Sequence, residues 1–186
     1  MRLSKPRIAP LSDAEADPEV AELLQPFRGG PVLNIFRTMA RTPKALLRFN
    51  QWGGYVLSKR NSLAEREREL VILRTGYLCK AGYEWTQHKR IGLDCGLTEA
   101  EIERIKAGPD AADWSAEDAA LLCATDDLVT DHFIGEAAWN GLAFLTEKQK
   151  MDLVYTVCQY TQVSMLLNSF GVQVEDGVQV DPDLKA

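Results

Sequence analysis

Histidine is nearly absent from this chain of 186 residues: there are two, and no pair of helices carries the Glu-x-x-His repeat that a di-iron bundle needs. Cysteine is sparse too. Cys79, Cys95, Cys123 and Cys158 form no Cys-x-x-Cys, so neither a disulfide framework nor a zinc knuckle fits, and reduced thiols in a cytoplasmic protein are expected. No apolar run approaches the ~18 to 20 residues that span a bilayer, and Met1-Arg2-Leu3-Ser4-Lys5-Pro6 has no apolar stretch behind its charges. A soluble, unexported protein with no membrane partner is expected. Positive charge is the scarcer sign, 21 Lys and Arg against 27 Asp and Glu, and the net charge of −6 repels polyanions. Nucleic acid is therefore not an expected partner. What the chain does have is apolar content, 46% of its residues, enough for the core of one domain.

Strand-type alternation is confined to residues 171–180, too little for a sheet, whereas apolar residues elsewhere recur at helical spacing. An all-α, compact single-domain bundle is predicted: an N-terminal arm (1–17), a helical domain (18–170) and a polar tail (171–186). Helices are predicted over 19–25, 32–40 and 44–60, the first stopped by Pro26 and Gly29-Gly30-Pro31, the third opened by Thr42-Pro43. Ser62 with Glu65 reads as a capping box opening the next, which breaks between Gly76 and Gly82 before a helix over 83–95 closed by Gly96. Thr98 with Glu101, Ser115 with Asp118, and Thr146 with Gln149 start three more, the last running to about Phe170, with a short helix over 136–145 between. The arm is expected to pack on a neighbouring subunit.

Glu84 and His88 are one turn apart on a predicted helix and share a face. If the preceding break centres near Cys79, Glu69 lies ten residues before it and His88 nine after, so the two meet across an antiparallel pair. Glu69 also shares a phase with Ile72 and Leu73 and faces inward. Two carboxylates and an imidazole brought together suit proton transfer, since burial raises a carboxyl pKa and a neighbouring carboxylate raises that of histidine. An ordinary surface Glu/His pair with a solvated Glu69 is the competing reading.

The run Glu69-Leu70-Val71-Ile72-Leu73-Arg74-Thr75, followed by Tyr83-Glu84-Trp85-Thr86-Gln87-His88, resembles the core of the carboxymuconolactone decarboxylase family, which includes the alkylhydroperoxidase D-like proteins. The resemblance extends over roughly residues 30 to 170 and implies that family's helical fold. The family's glutamate and histidine match Glu69 and His88. The peroxidase branch carries a Cys-x-x-Cys whose positions here are Ala81 and Glu84, so the redox pair is missing and the decarboxylase-like branch is implied, with Cys79 two residues early and alone.

The resemblance implies a cofactor-free decarboxylase of a small unsaturated lactone acid or related ring-cleavage metabolite, without a metal. His88 is then the acid, Glu69 orients or recharges it, and Glu84 tunes the pair or takes part in proton transfer. Tyr83 and Trp85 are candidate pocket walls, and core packing is their alternative. Arg74 is a candidate anchor for a substrate carboxylate, with a structural ion pair as its alternative. An isomerase or hydrolase of a lactone using the same set, and a non-catalytic helical assembly module, stay open. The family also implies a homo-oligomer, a trimer or hexamer.

Overall fold

A computed structural model describes residues 1–25 and 32–185 of the chain. The regular structure among them is helical: α1 (Pro18–Leu24), α2 (Asn34–Met39), α3 (Pro43–Val56), α4 (Glu65–Leu78), α5 (Gly82–Asp94), α6 (Glu99–Ala107), α7 (Ala116–Thr130), α8 (Glu136–Gly141) and α9 (Glu147–Phe170), then a 3-10 turn at Pro182–Leu184. The all-α reading holds, and none of these helices is long and apolar enough to cross a membrane. Pro26 and Gly29-Gly30-Pro31, the expected stop of the first helix, lie outside the described residues.

Local chemistry sets most helix starts. Thr98, Ser115 and Thr146 each accept from the backbone N–H three residues on, as their spacing predicts. Ser62 does not cap α4. Its N–H and hydroxyl both donate to Asp152 on α9, at 2.7 and 2.6 Å, and α4 begins three residues later at Glu65, capped at Ala64, whose N–H donates to the Glu67 side chain. The reason is burial: Asp152 is fully buried and must find donors, whereas water can serve the exposed helix end. Likewise Thr42 turns its hydroxyl back to the Met39 carbonyl. α3 ends at Val56, short of the expected residue 60, where the Asn61 side chain donates to the Val56 carbonyl. α8 stops at Gly141 rather than at residue 145.

α4 runs through the middle. Arg68 to Gly76 are all buried, and α5, α6, α7 and α9 pack around it. A helix hidden on every side serves two cores at once. Leu70, Val71 and Leu73 join Ile102, Ile105, Leu121 and Leu153 on one side; Ile72 joins Ile35, Leu46, Tyr160 and Leu167 on the other. Both chain ends dock on this body. The N–H groups of Arg7 and Ile8 donate to the Phe170 carbonyl, Arg41 donates to the Ala9 carbonyl, and Leu11 is buried. The tail reads as polar in sequence, but it forms no strand and buries Val172 and Leu184.

Asp152 ties the α3–α4 connection to α9, accepting from Tyr55, Ser62 and Lys148. Burial alone would raise its pKa, but the hydrogen bonds from Lys148, Ser62 and Tyr55 outweigh that and bring it down to about 2. A carboxyl whose pKa falls on folding stabilises the protein above its unfolded pKa and loses that contribution as pH falls through the folded value. In urea unfolding at neutral pH, Asp152→Ala should lose about 2 to 3 kcal/mol. The difference from the parent should shrink as pH drops from about 4 to about 2.

Candidate active site

The turn between α4 and α5 takes only Cys79, Lys80 and Ala81, with Lys80 at a positive φ of 54°. So short a connection forces the two helices antiparallel, and residues at matched distances from it face each other. His88 Nδ1 lies 2.7 Å from Glu69 Oε2, with the two residues 8% and 1% exposed. Opposite an ionised Glu69, Nδ1 carries the proton and donates, which leaves Nε2 for exchange with a bound molecule. The ring of Tyr160, from α9, meets the imidazole edge-on at 4.8 Å between centroids.

Glu84 sits one turn before His88 and is 2% exposed. Its Oε2 accepts from the Ser164 hydroxyl at 2.9 Å, and its Oε1 is buried without a partner. Burial pushes its carboxyl well above the usual range; the Ser164 hydrogen bond opposes this in part, and the charge of Glu69 adds to it. Glu84 therefore favours the neutral acid beside a pair that shares a proton. Room for it comes from Gly76 on α4, where an added Cβ would lie 2.8 Å from Glu84 Oε1.

Glu84, His88 and Tyr160 border a cavity of about 560 Å³ between α2, α3, α5 and α9, with Glu69 behind His88, within the size range of small-molecule sites. Its walls are mainly apolar, Ile35, Phe36, Phe49 and Leu167 among them, with Asn50, Glu84, Gln87, His88, Arg90, Gln159 and two tyrosines as polar exceptions. Among the described residues no cluster of three or more His, Cys, Asp or Glu is placed to hold a metal ion.

Tyr83 is among the residues that line this cavity. Its hydroxyl donates to Glu175 at 2.7 Å, and burial followed by the Glu175 charge pushes the phenol up. Trp85 does not line it. Two residues after Tyr83 on a helix, it points to the opposite side, packing against Tyr77 in the first core with Lys106 over its ring. Arg74 is also elsewhere. Five residues beyond Glu69 it faces α6 and α7, holding both oxygens of Asp126 at 2.6 Å and the carbonyls of Ile105 and Lys106. The ion-pair alternative describes it, and Gly108 leaves space for its guanidinium. Cys79 borders a separate depression with Arg2, Ser164 and Asn168, and burial followed by the charge of Glu84 pushes its thiol up, away from a reactive thiolate. His132 is exposed beyond α7.

Sequence reasoning overlooked Gln159, Tyr160 and Arg90. The usable signal was polarity in the wrong place: Gln159 and Ser164 interrupt the apolar face of α9, and a polar residue on a buried face needs a reason.

Residues 43–126 match the model of the Carboxymuconolactone decarboxylase family. The resemblance carried by Glu69 to His88 thus holds for the segment that contains both. Among solved structures, an uncharacterized peroxidase-related protein from Silicibacter sp. TM1040 superposes with a TM-score of 0.79 at 16% identity, covering 95% of this chain and 97% of that one. An alkylhydroperoxidase AhpD core protein, uncharacterized and peroxidase-related, from Ralstonia eutropha JMP134 gives 0.78 at 18% identity, covering 91% and 92%. The debrominase Bmp8, as a cysteine-to-alanine variant in complex with 2,3,4-tribromopyrrole, gives 0.75 at 12% identity, covering 93% and 94%. At these identities the likeness is one of fold. No curated protein matches.

A buried acid whose pKa rises on folding stabilises the protein below its unfolded pKa and loses that contribution as pH rises toward the folded value. Parent stability in urea should therefore decline from about pH 5 upward, and Glu84→Gln should flatten that decline. Gly76→Ala should cost about 1 to 3 kcal/mol by overpacking, although alanine favours a helix. Combined with Glu84→Ala, the cost should largely vanish in a double-mutant cycle.

Proposed function

We propose that this protein is an acid/base enzyme that needs no cofactor and removes carbon dioxide from a small unsaturated lactone acid or a related ring-cleavage product. The observation that carries the reading is the buried Glu69–His88 pair, with the neutral-leaning Glu84 beside it, at the wall of a mainly apolar cavity. Loss of carbon dioxide breaks a carbon–carbon bond and leaves its electron pair on the substrate, where the unsaturated lactone spreads it as a dienolate. The substrate supplies the electron sink, so the protein must hold the acid, exclude water and return a proton to carbon.

His88 supplies that proton from Nε2, and Glu69 at Nδ1 keeps the ring oriented and stabilises its protonated form before transfer. Glu84 donates a hydrogen bond to developing negative charge without adding a negative charge of its own. A departing carboxylate that borders apolar side chains and acidic groups is poorly solvated, and it relaxes when it leaves as neutral carbon dioxide. The matched family segment, the lack of a Cys-x-x-Cys, and Cys79 outside the cavity support this chemistry over thiol peroxide reduction. The bromopyrrole complex of the debrominase supports a small ring compound as the kind of molecule this fold accommodates.

Carbon dioxide release from a panel of unsaturated lactone acids should fall by about 100-fold or more in His88→Ala, the usual weight of a general acid. Glu69→Gln should fall less and shift the pH profile. Equal release from the parent and His88→Ala would remove the mechanism.

A further inference from the structure

The cavity wall combines apolar side chains with a few polar ones that differ in burial. Leu33, Phe36, Leu57, Val163 and Leu167 are among its apolar side chains. At its rim stands Arg90, exposed and in no ion pair or hydrogen bond among the described residues. Besides Arg90, only His88 among the described lining residues can carry positive charge, and its Nδ1 is held by Glu69.

Inside, Gln159 is 3% exposed and its Oε1 has no hydrogen-bond partner. A buried, unpaired carboxamide opposes folding and is retained where something else completes it. Space is kept around it: a Cβ on Gly53 would come within 3.3 Å of Gln159 Nε2. Tyr160, the neighbour of Gln159 in α9, touches His88, so the carboxamide stands near the acid/base end. Turned either way, an amide offers a donor or an acceptor.

We infer that the cavity takes an oxo acid or lactone acid, with a carboxylate at the rim on Arg90, an apolar body against the apolar side chains, and a carbonyl or enol oxygen on the Gln159 carboxamide near His88. The inference rests on the cavity being the reaction site, and it names the two residues that set its ligand class. Arg90 holds the carboxylate that stays, and Gln159 meets the oxygen on which dienolate charge collects. Neither residue is tied up structurally: Arg90 is solvated, and Gln159 makes no bond through Oε1.

The test is equilibrium binding of three unreactive probes: benzoylpropionate, its methyl ester, which lacks the anion, and phenylbutyrate, which lacks the ketone. The parent should bind benzoylpropionate about tenfold tighter than either of the others. Arg90→Gln should erase the preference for acid over ester, and Gln159→Leu the preference for ketone over methylene, each leaving the other preference intact. Gln159→Met serves if the leucine variant does not fold. Gly54→Leu, on a lining residue where an added Cβ meets nothing within 4 Å, should block all three. Preferences that persist in the variants, binding that survives Gly54→Leu, or no binding by the parent would overturn the inference. These probes cannot lose carbon dioxide. Binding as expected, without carbon dioxide release from any lactone acid, would keep this inference and remove the decarboxylase reading.

Discussion

α4 is buried on every side, yet it carries charged residues through the centre of the protein, and the rest of the structure answers that fact. A charge in an apolar interior is tolerated only with a partner. Arg74 finds Asp126 and two carbonyls at the end of α6, which fixes α6 and α7 against α4. Glu69 finds His88, which fixes α5. The two partnerships differ in what they can do next. Arginine stays protonated at any working pH, so the Arg74 cluster is permanent. A carboxylate and an imidazole can pass a proton between them, so the same need for compensation places groups suited to acid/base chemistry at the Glu69 position.

That contrast explains which parts of the site were legible in the sequence. Glu69, Glu84 and His88 could be brought together because their relation is nearly local: one helical turn for Glu84 and His88, and a three-residue connection for Glu69 and His88. Trp85 fell outside because it is turned to the other side of α5, where Tyr77 and the first core take it up. Arg74 fell outside because five residues carry it well round α4, toward helices whose positions no local rule gives. Capping followed the same division. Thr98, Ser115 and Thr146 behave as their neighbours dictate, whereas Ser62 is claimed by Asp152, ninety residues away, and only the folded chain shows it.

The family match covers residues 43–126, which hold Glu69, Glu84 and His88 but neither α2 nor α9. The Glu69, Glu84 and His88 set therefore lies wholly within the matched segment, whereas the cavity wall is drawn from both inside and outside it. The acid/base groups project from the α4–α5 pair, whose geometry a short turn fixes. Much of the cavity wall, including Phe36, Gln159 and Tyr160, comes from helices outside the matched segment. Tyr160 meets His88, but walls such as Phe36 belong to helices that carry none of the Glu69, Glu84 and His88 set, and a shared fold then says little about what is bound.

The tail belongs to this arrangement as well. Glu175 accepts from the Tyr83 hydroxyl at 2.7 Å, from the Gln87 side chain at 2.6 Å and from the Asn34 N–H at 2.9 Å. Two of these donors stand on α5 and one at the start of α2, both walls of the cavity. The N–H at a helix start has no partner within its own helix and welcomes a carboxylate. One side chain thus ties the short α2, only six residues long, to the helix that carries His88. A helix of that length has little stability alone, so its place at the cavity depends on tertiary anchors. The residue that looked like part of a loose polar end in the sequence is one of those anchors, and it reaches the site without touching the reacting groups.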